Sequence, residues 1–165
     1  MTVTATYKSE ITAVETIDGT AAPFAASSDK TITHNGLNTN LTLASNSSQP
    51  VTTQVSSEVA LVSGAKTLDL TALVGTNSGA ISFSGLKVQL AKFKNKSTNA
   101  NTITLTIGAS NGYALLGAGW EITLQPGQEA TFFLNEQAPD VGGSAKTIDV
   151  TGTGSQVLQM QLVAG

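Results

Sequence analysis

Thr102-Ile103-Thr104-Leu105-Thr106-Ile107 is the stretch that decides the fold. Apolar and polar residues alternate there without a break. Successive side chains of a strand point to opposite faces, so this period of two is the mark of a half-buried strand. On either side the chain reads the same way. Ser97–Asn101 is a turn, and before it Leu86, Val88, Leu90 and, after a shift, Phe93 form a longer strand ending in lysines. After it, Gly108–Gly119 is a small-residue loop carrying Tyr113 and Leu115. A strand from Trp120 to Leu124 then meets Pro126-Gly127, the dipeptide of a type II turn. The strand from Ala130 to Leu134 returns, Pro139–Gly143 is a loop, Ile148 and Val150 mark another strand, and Val157–Val163 is the last.

Toward the N-terminus the pattern persists. Val3, Ala5 and Tyr7 alternate with Thr and Lys, and Ile11, Ala13, Val14 and Ile17 follow with one doublet that suggests a bulge. Residues 19–29 are rich in Ala, Ser, Gly and Pro and read as a loop, or as an arm that packs Phe24 on a neighbour. Thr31-Ile32-Thr33-His34 runs into Asn35-Gly36, a pair suited to the positive φ angles of a type I′ hairpin turn. Val51–Val62 and Thr67–Thr71 are further strands, and Asn77-Ser78-Gly79 turns the chain toward Ile81 and Phe83. Ten to twelve short strands, with no helical periodicity, predict an all-β antiparallel sandwich, of jelly-roll type in one variant. The core aromatics are expected to be Trp120, Phe83, Phe93 and one of Phe132 or Phe133. The 165 residues fit one domain, 1–165, with 1–29 as a strand or arm reaching a neighbour. Ala65–Thr71 is echoed by Ala145–Thr151, and each is followed by a similar strand, Leu86–Leu90 or Leu158–Leu162. The echo fits two equivalent strand pairs in one sandwich, and equally two strands drawn from one Thr-rich alphabet.

Composition narrows the function. Apolar residues make up 40% and charged residues only 12%, about half the usual share. Polarity comes instead from 24 Thr, 16 Ser and 10 Asn. Such a surface repels little and desolvates at modest cost, which suits packing against neighbours. A net charge of -3 gives little attraction to nucleic acid or anionic membrane. There is no arginine, the residue of bidentate phosphate and base contacts, and no cysteine to supply a thiolate, a disulfide or a zinc ligand. No stretch approaches a membrane span, and the first residues lack the basic and apolar regions of a secretory signal. Synthesis in the cytoplasm is therefore expected, and the Asn-x-Ser/Thr sequons at Asn40, Asn46 and Asn95 are expected to stay unmodified.

The inventory for catalysis is thin. His34, the sole histidine, precedes a turn and has no sequence neighbour that would orient it. Asp69 and Asp149 each sit between apolar residues and are read as outward-facing strand positions, against the alternative of a paired acid–base or calcium site. The glycine-rich stretches do not open a helix, as a phosphate loop must. No enzyme activity, cofactor or metal is expected. Lys87, Lys92, Lys94 and Lys96 hold half of the positive charge within ten residues, and the last three share one strand face. They fit a basic ridge that meets an acidic partner surface, or an edge strand guarded against aggregation. A carbohydrate-binding or adhesion module is the alternative to a structural role, with Tyr113 and Trp120 as its candidate platform.

Thr33-His34-Asn35-Gly36-Leu37-Asn38, Leu68-Asp69-Leu70-Thr71, Leu124-Gln125-Pro126-Gly127-Gln128 and Ile148-Asp149-Val150-Thr151-Gly152-Thr153 together resemble the small β-sandwich structural proteins of tailed-phage particles, the capsid decoration (cement) proteins and related head or tail components. That resemblance implies a virion protein, made in the host cytoplasm, that binds the capsid shell in symmetric copies, trimers above all, without nucleic acid or membrane. Phe24, Lys87, Lys92, Lys94 and Lys96 are the expected partner contacts.

Overall fold

The computed structural model describes residues 2–17 and 30–165. It contains fourteen strands and no helix among those residues, so none crosses a membrane as a helix. The backbone divides into two compact units, one formed by residues up to Ala5 with Leu43–Gly165, the other by Thr6–Thr42. Residues 18–29, including Phe24, lie outside the described residues.

The larger unit is an antiparallel sandwich. Its eight principal strands are β5 (Thr53–Ala60), β6 (Ala65–Asp69), β9 (Val88–Asn95), β10 (Ile103–Ile107), β11 (Glu121–Leu124), β12 (Glu129–Phe133), β13 (Thr147–Thr151) and β14 (Val157–Ala164). One sheet has the order β12-β9-β14-β5 and the other β11-β10-β13-β6. The first of the eight pairs with the last, the second with the seventh, the third with the sixth and the fourth with the fifth. A long ribbon of nested antiparallel pairs rolled over a single core is the jelly roll. Two minor strands, β7 (Leu73–Val74) and β8 (Ala80–Ile81), form a short ribbon.

The alternation seen in the sequence is what fills the core. Ile103 and Leu105 of β10 are fully buried while Thr104 and Thr106 face outward. Val55, Phe93, Leu158 and Leu162 face them from the other sheet within the same apolar cluster. Each such side chain contributes about 1.5–3 kcal/mol by leaving water. On β9 the alternation lapses, with Val88, Gln89, Leu90 and Ala91 all buried. Opposite them the pairing with β14 slips between Val163 and Ala164, a bulge that passes over Gln89, whose side chain bonds Glu136. The echoed segments prove to be hydrogen-bonded neighbours: β6 pairs with β13, and the strands that follow, β9 and β14, pair with each other. The two echoed segments thus sit side by side in one sheet and the strands that follow them side by side in the other.

The turn at Pro126-Gly127 forms as the sequence predicts. Gly127 has φ of 83°, and the Gln128 N–H donates to the Gln125 carbonyl at 2.9 Å. It joins β11 to β12, which belong to different sheets, so it carries the chain across the sandwich instead of closing a hairpin.

The smaller unit holds β2 (Ala13–Ile17) and β3 (Lys30–His34), which pair with Ala13 opposite His34. A second ribbon pairs β1 (Thr4–Ser9) with β4 (Thr39–Ala44). The hairpin expected at Asn35-Gly36 is not there. The turn spans Asn35–Asn38, closed by the Asn38 N–H on the Asn35 carbonyl at 3.1 Å, and neither Asn35 nor Gly36 has positive φ. The reason is local: the Asn38 side chain accepts from the Ile11 N–H at 2.9 Å and donates to the Thr12 hydroxyl at 3.1 Å, which ties the turn to the approach of β2. β3 therefore pairs with β2, not with β4.

Candidate functional site

The outward face of the β12-β9-β14-β5 sheet brings together Lys92, Lys94 and Lys96. Strand register builds it in rows. Glu129, Lys94, Gln159 and Glu58 align across the four strands, and beside them Thr131, Lys92, Gln161 and Ser56. The rows enclose a shallow depression of about 420 Å³. Lys92 and Lys94 share this face because they alternate with buried Phe93.

The lysines are paired. Lys92 Nζ lies 2.8 Å from Glu129 Oε1 and Lys94 Nζ 3.7 Å from Glu129 Oε2. Lys96 Nζ lies 2.9 Å from Glu58 Oε2, and the Gln159 amide donates to Glu58 Oε1 at 2.8 Å. The Lys92 hydrogen bond is the main influence holding the Glu129 carboxyl below its ordinary range, and the Lys96 hydrogen bond, then that of Gln159, does the same for Glu58. Lys87 stands apart, before β9, where its Nζ lies 3.4 Å from Glu136 Oε2 while Gln89 donates to Glu136 Oε1 at 2.8 Å. Four lysines thus meet three glutamates, leaving the ridge with one net positive charge. A partner would meet a striped, nearly neutral ladder, not a bare cationic strip. The edge-strand explanation of the lysines is overturned, because β9 lies between β12 and β14 and has no free edge. Glu58, Glu129, Gln159 and Gln161 were not among the expected contacts, since pairing register is a long-range property that local alternation does not encode.

The remaining candidates disperse. Asp69 accepts from the Thr71 hydroxyl and N–H at 2.6 and 2.9 Å and pairs with Lys146 at 2.9 Å. The Thr71 hydroxyl leads in keeping its carboxyl below the ordinary range, with burial opposing and Lys146 adding. Asp149 accepts from the Thr67 hydroxyl at 2.6 Å and the Ala109 N–H at 2.8 Å. Both carboxylates are engaged in bracing their own sheet and loop. His34, in the smaller unit, pairs with Glu15 at 3.2 Å. No group of three His, Cys, Asp or Glu among the described residues is placed to hold a metal.

Tyr113 and Trp120 form no platform. Tyr113 is fully buried, its hydroxyl donating to the Pro139 carbonyl at 2.8 Å and accepting from the Val88 N–H at 3.2 Å. The Trp120 indole donates to the Tyr113 carbonyl at 2.9 Å. The pair pins the Gly108–Gly119 loop over one end of the core, and the small residues around Tyr113 let that loop fold tightly inward. Asn95 is also fully buried, donating to the carbonyls of Asn101 and Leu124 at 3.0 and 2.8 Å, so the sequon there is sealed in the folded chain.

No protein-family model and no curated protein sequence matches the chain. Among solved structures, a chain from the crystal structure of tomato aspermy virus is similar at 12% identity with a TM-score of 0.40, over 68% of this chain and 76% of that one. A chain from the disulfide-linked pili of Bacillus endospore appendages is similar at 16% identity with a TM-score of 0.33, over 68% and 87%. Both likenesses are distant, and neither bears on what this protein does.

Proposed function

We propose that this protein is a non-enzymatic structural component of a virus particle, a capsid decoration or auxiliary protein of a tailed phage that binds a shell in several symmetric copies. The observation that carries the reading is the nearly neutral outer face of the β12-β9-β14-β5 sheet. Its lysines are compensated within the face, to within one charge, by Glu58 and Glu129. Docking such a ladder demands no exact countercharge on the partner. Each contact is weak, because exposed ion pairs add little. Several copies held in one symmetric assembly convert weak contacts into a stable one through effective concentration. A rigid jelly roll suits that task, since the face keeps its shape on docking.

The test is a pull-down of the tagged protein from the source lysate, with gold-labelled antibody on native particles. Label on virions and co-purification of a shell protein are the expected results. Unlabelled particles, with no shell protein retained, refute the proposal. Substituting Lys92 and Lys94 by Glu should abolish particle binding while leaving the sandwich folded, since both side chains face solvent.

A further inference from the structure

The dipeptide Asn-Gly occurs twice in the chain, at Asn35-Gly36 and at Asn111-Gly112. An asparagine followed by glycine carries a reaction within itself. The glycine nitrogen lies within reach of the asparagine side-chain carbonyl carbon, and no Cβ on the glycine guards the approach. Ring closure requires the peptide unit between the two residues to rotate, because its nitrogen must swing onto Cγ. Whatever holds that peptide unit decides whether the reaction runs.

The two sites are held differently. The Asn111 carbonyl belongs to the same peptide unit as the Gly112 nitrogen, and it accepts from the Lys146 N–H at 2.7 Å and the Thr147 N–H at 3.0 Å. Asn111 sits at φ of 54°, and Gly112 packs so closely on Ile107 and Gly108 that a Cβ there would collide with the Gly108 carbonyl. That peptide unit is pinned. Asn35 and Gly36 are both exposed, in a turn with a single closing bond, from the Asn38 N–H to the Asn35 carbonyl at 3.1 Å. No atom lies within 4 Å of the place a Cβ on Gly36 would take. Among the described residues neither the Asn35 side chain nor the Gly36 N–H has a hydrogen-bond partner. The nucleophile and the group it attacks are both free, and the hinge between them is loose.

We propose that Asn35-Gly36 is a self-modification site, at which the folded protein converts a side-chain amide into an acid with water as the sole co-reactant. The Gly36 nitrogen attacks Asn35 Cγ. The N–Cγ bond forms as the Cγ–Nδ2 bond breaks, and Nδ2 leaves as ammonia with the proton that the Gly36 nitrogen gives up. Water then adds to either carbonyl of the succinimide ring, and position 35 becomes aspartate or isoaspartate. Either product adds one negative charge to the formal net charge of -3. Isoaspartate also adds a methylene to the main chain within the Asn35–Asn38 turn. That turn aims the Asn38 side chain, whose bonds to the Ile11 N–H at 2.9 Å and the Thr12 hydroxyl at 3.1 Å tie it to the approach of β2. A two-stranded ribbon is marginal in water, so the modification loosens the β2–β3 pair as the protein ages. The site stands whether or not the chain decorates a particle.

The test is ageing of the full chain in mildly alkaline buffer, then cleavage after lysine and mass spectrometry with electron-transfer fragmentation, which tells the two acids apart. The sites fall in different peptides, 31–66 and 97–146. Position 35 should convert, mainly to isoaspartate, at least about tenfold faster than position 111, because two ordinary backbone hydrogen bonds must open before Asn111 reacts. In urea the two rates should converge, since the dipeptide is the same. Gly36→Ala, which the turn accepts because Gly36 has no positive φ and open space around it, should slow position 35 by about tenfold or more. Amide hydrogen exchange at Ile11 and along β2 and β3 should quicken several-fold in the aged native protein and not in aged Gly36→Ala. Three results overturn the site: position 111 converting as fast as position 35 in the folded chain, position 35 converting more than about tenfold slower when folded than in urea, or Gly36→Ala ageing at the native rate. Conversion with unchanged exchange overturns the loosening of the ribbon.

Discussion

Replacing Tyr113 by Phe keeps the ring that fills the end of the core and removes one oxygen. That oxygen serves two backbone groups, the Pro139 carbonyl at 2.8 Å and the Val88 N–H at 3.2 Å. A buried donor left without an acceptor costs about 1–3 kcal/mol, and the carbonyl, which keeps some access to water, adds less. The variant should therefore lose about 2–3 kcal/mol. For a chain of this length each kcal/mol moves the melting temperature by roughly 2–4 °C, so a fall of about 4–12 °C is expected. Urea denaturation followed by Trp120 fluorescence should show a lower midpoint with an unchanged slope, because the surface exposed on unfolding is the same. A second readout separates the hydroxyl from the packing. Burial pushes the Tyr113 hydroxyl up to about 12, against the pull of the Val88 N–H and with the Asp140 charge adding. A raised value means that the folded state holds the proton more tightly than the unfolded one. The resulting stability is whole below about pH 10 and is lost as pH rises through 12. Tyr113→Phe should erase that alkaline loss. A variant that melts within 1 °C of the native protein, or a native protein with no such loss, refutes the strut, and with it the claim that Tyr113 is unavailable to a glycan.

Two further substitutions probe the polar joints of the sandwich. In Asn95→Ala the carbonyls of Asn101 and Leu124 and the Asn99 amide that donates to Asn95 Oδ1 all lose a partner. A loss of about 2–4 kcal/mol is expected from a network severed at its buried centre, and a midpoint shift below 1 kcal/mol counts against it. In Asp69→Asn the anchor of Thr71 and Lys146 is weakened, costing about 1 kcal/mol near neutral pH. The Asp69 carboxyl titrates below its ordinary value, so its contribution is present above that value and lost as pH falls through the lower folded one. The acid limb of the stability curve should flatten in the variant, and an unchanged limb rules Asp69 out as its source.

What the sequence made legible is what one strand alone can specify. The Thr–Ile alternation of 102–107 became β10 with Ile103 and Leu105 inside, and Pro126-Gly127 became the expected turn, because both depend on residues next to one another. Phe83, Phe93 and Trp120 went to the core by size and apolarity. Tyr113 did not follow from that logic. A tyrosine among Gly, Ala and Ser looks exposed until the loop is seen folded over the end of the sandwich, where the small neighbours permit the fold and the hydroxyl finds backbone partners. Asn35-Gly36 failed for a complementary reason. The dipeptide allows a tight hairpin, but the Asn38 side chain, bound to Ile11 and Thr12, selects a different turn and a different partner for β3.

The lysines show where local reading stops. Spacing alone places Lys92 and Lys94 on one face, and two explanations of that face, an exposed edge or a cationic ridge, follow with equal right. Deciding between them requires knowing which strands flank β9. Once β12 and β14 are set on either side, Glu129 faces Lys94 across one strand boundary and Gln159 faces it across the other, with Glu58 one strand further. The charge of the ridge is then a property of four strands drawn from residues 53–60, 88–95, 129–133 and 157–164, separated by up to a hundred positions in the chain. Register thus converts what one segment presents as a cationic strip into a nearly neutral ladder. It shifts the expected partner from an acidic surface to one that tolerates paired charge. Reversing Lys92 and Lys94 to Glu is a demanding test for that reason: it would leave Glu129 facing like charge, with Glu58 still held by Lys96, and turn the face anionic without touching the core.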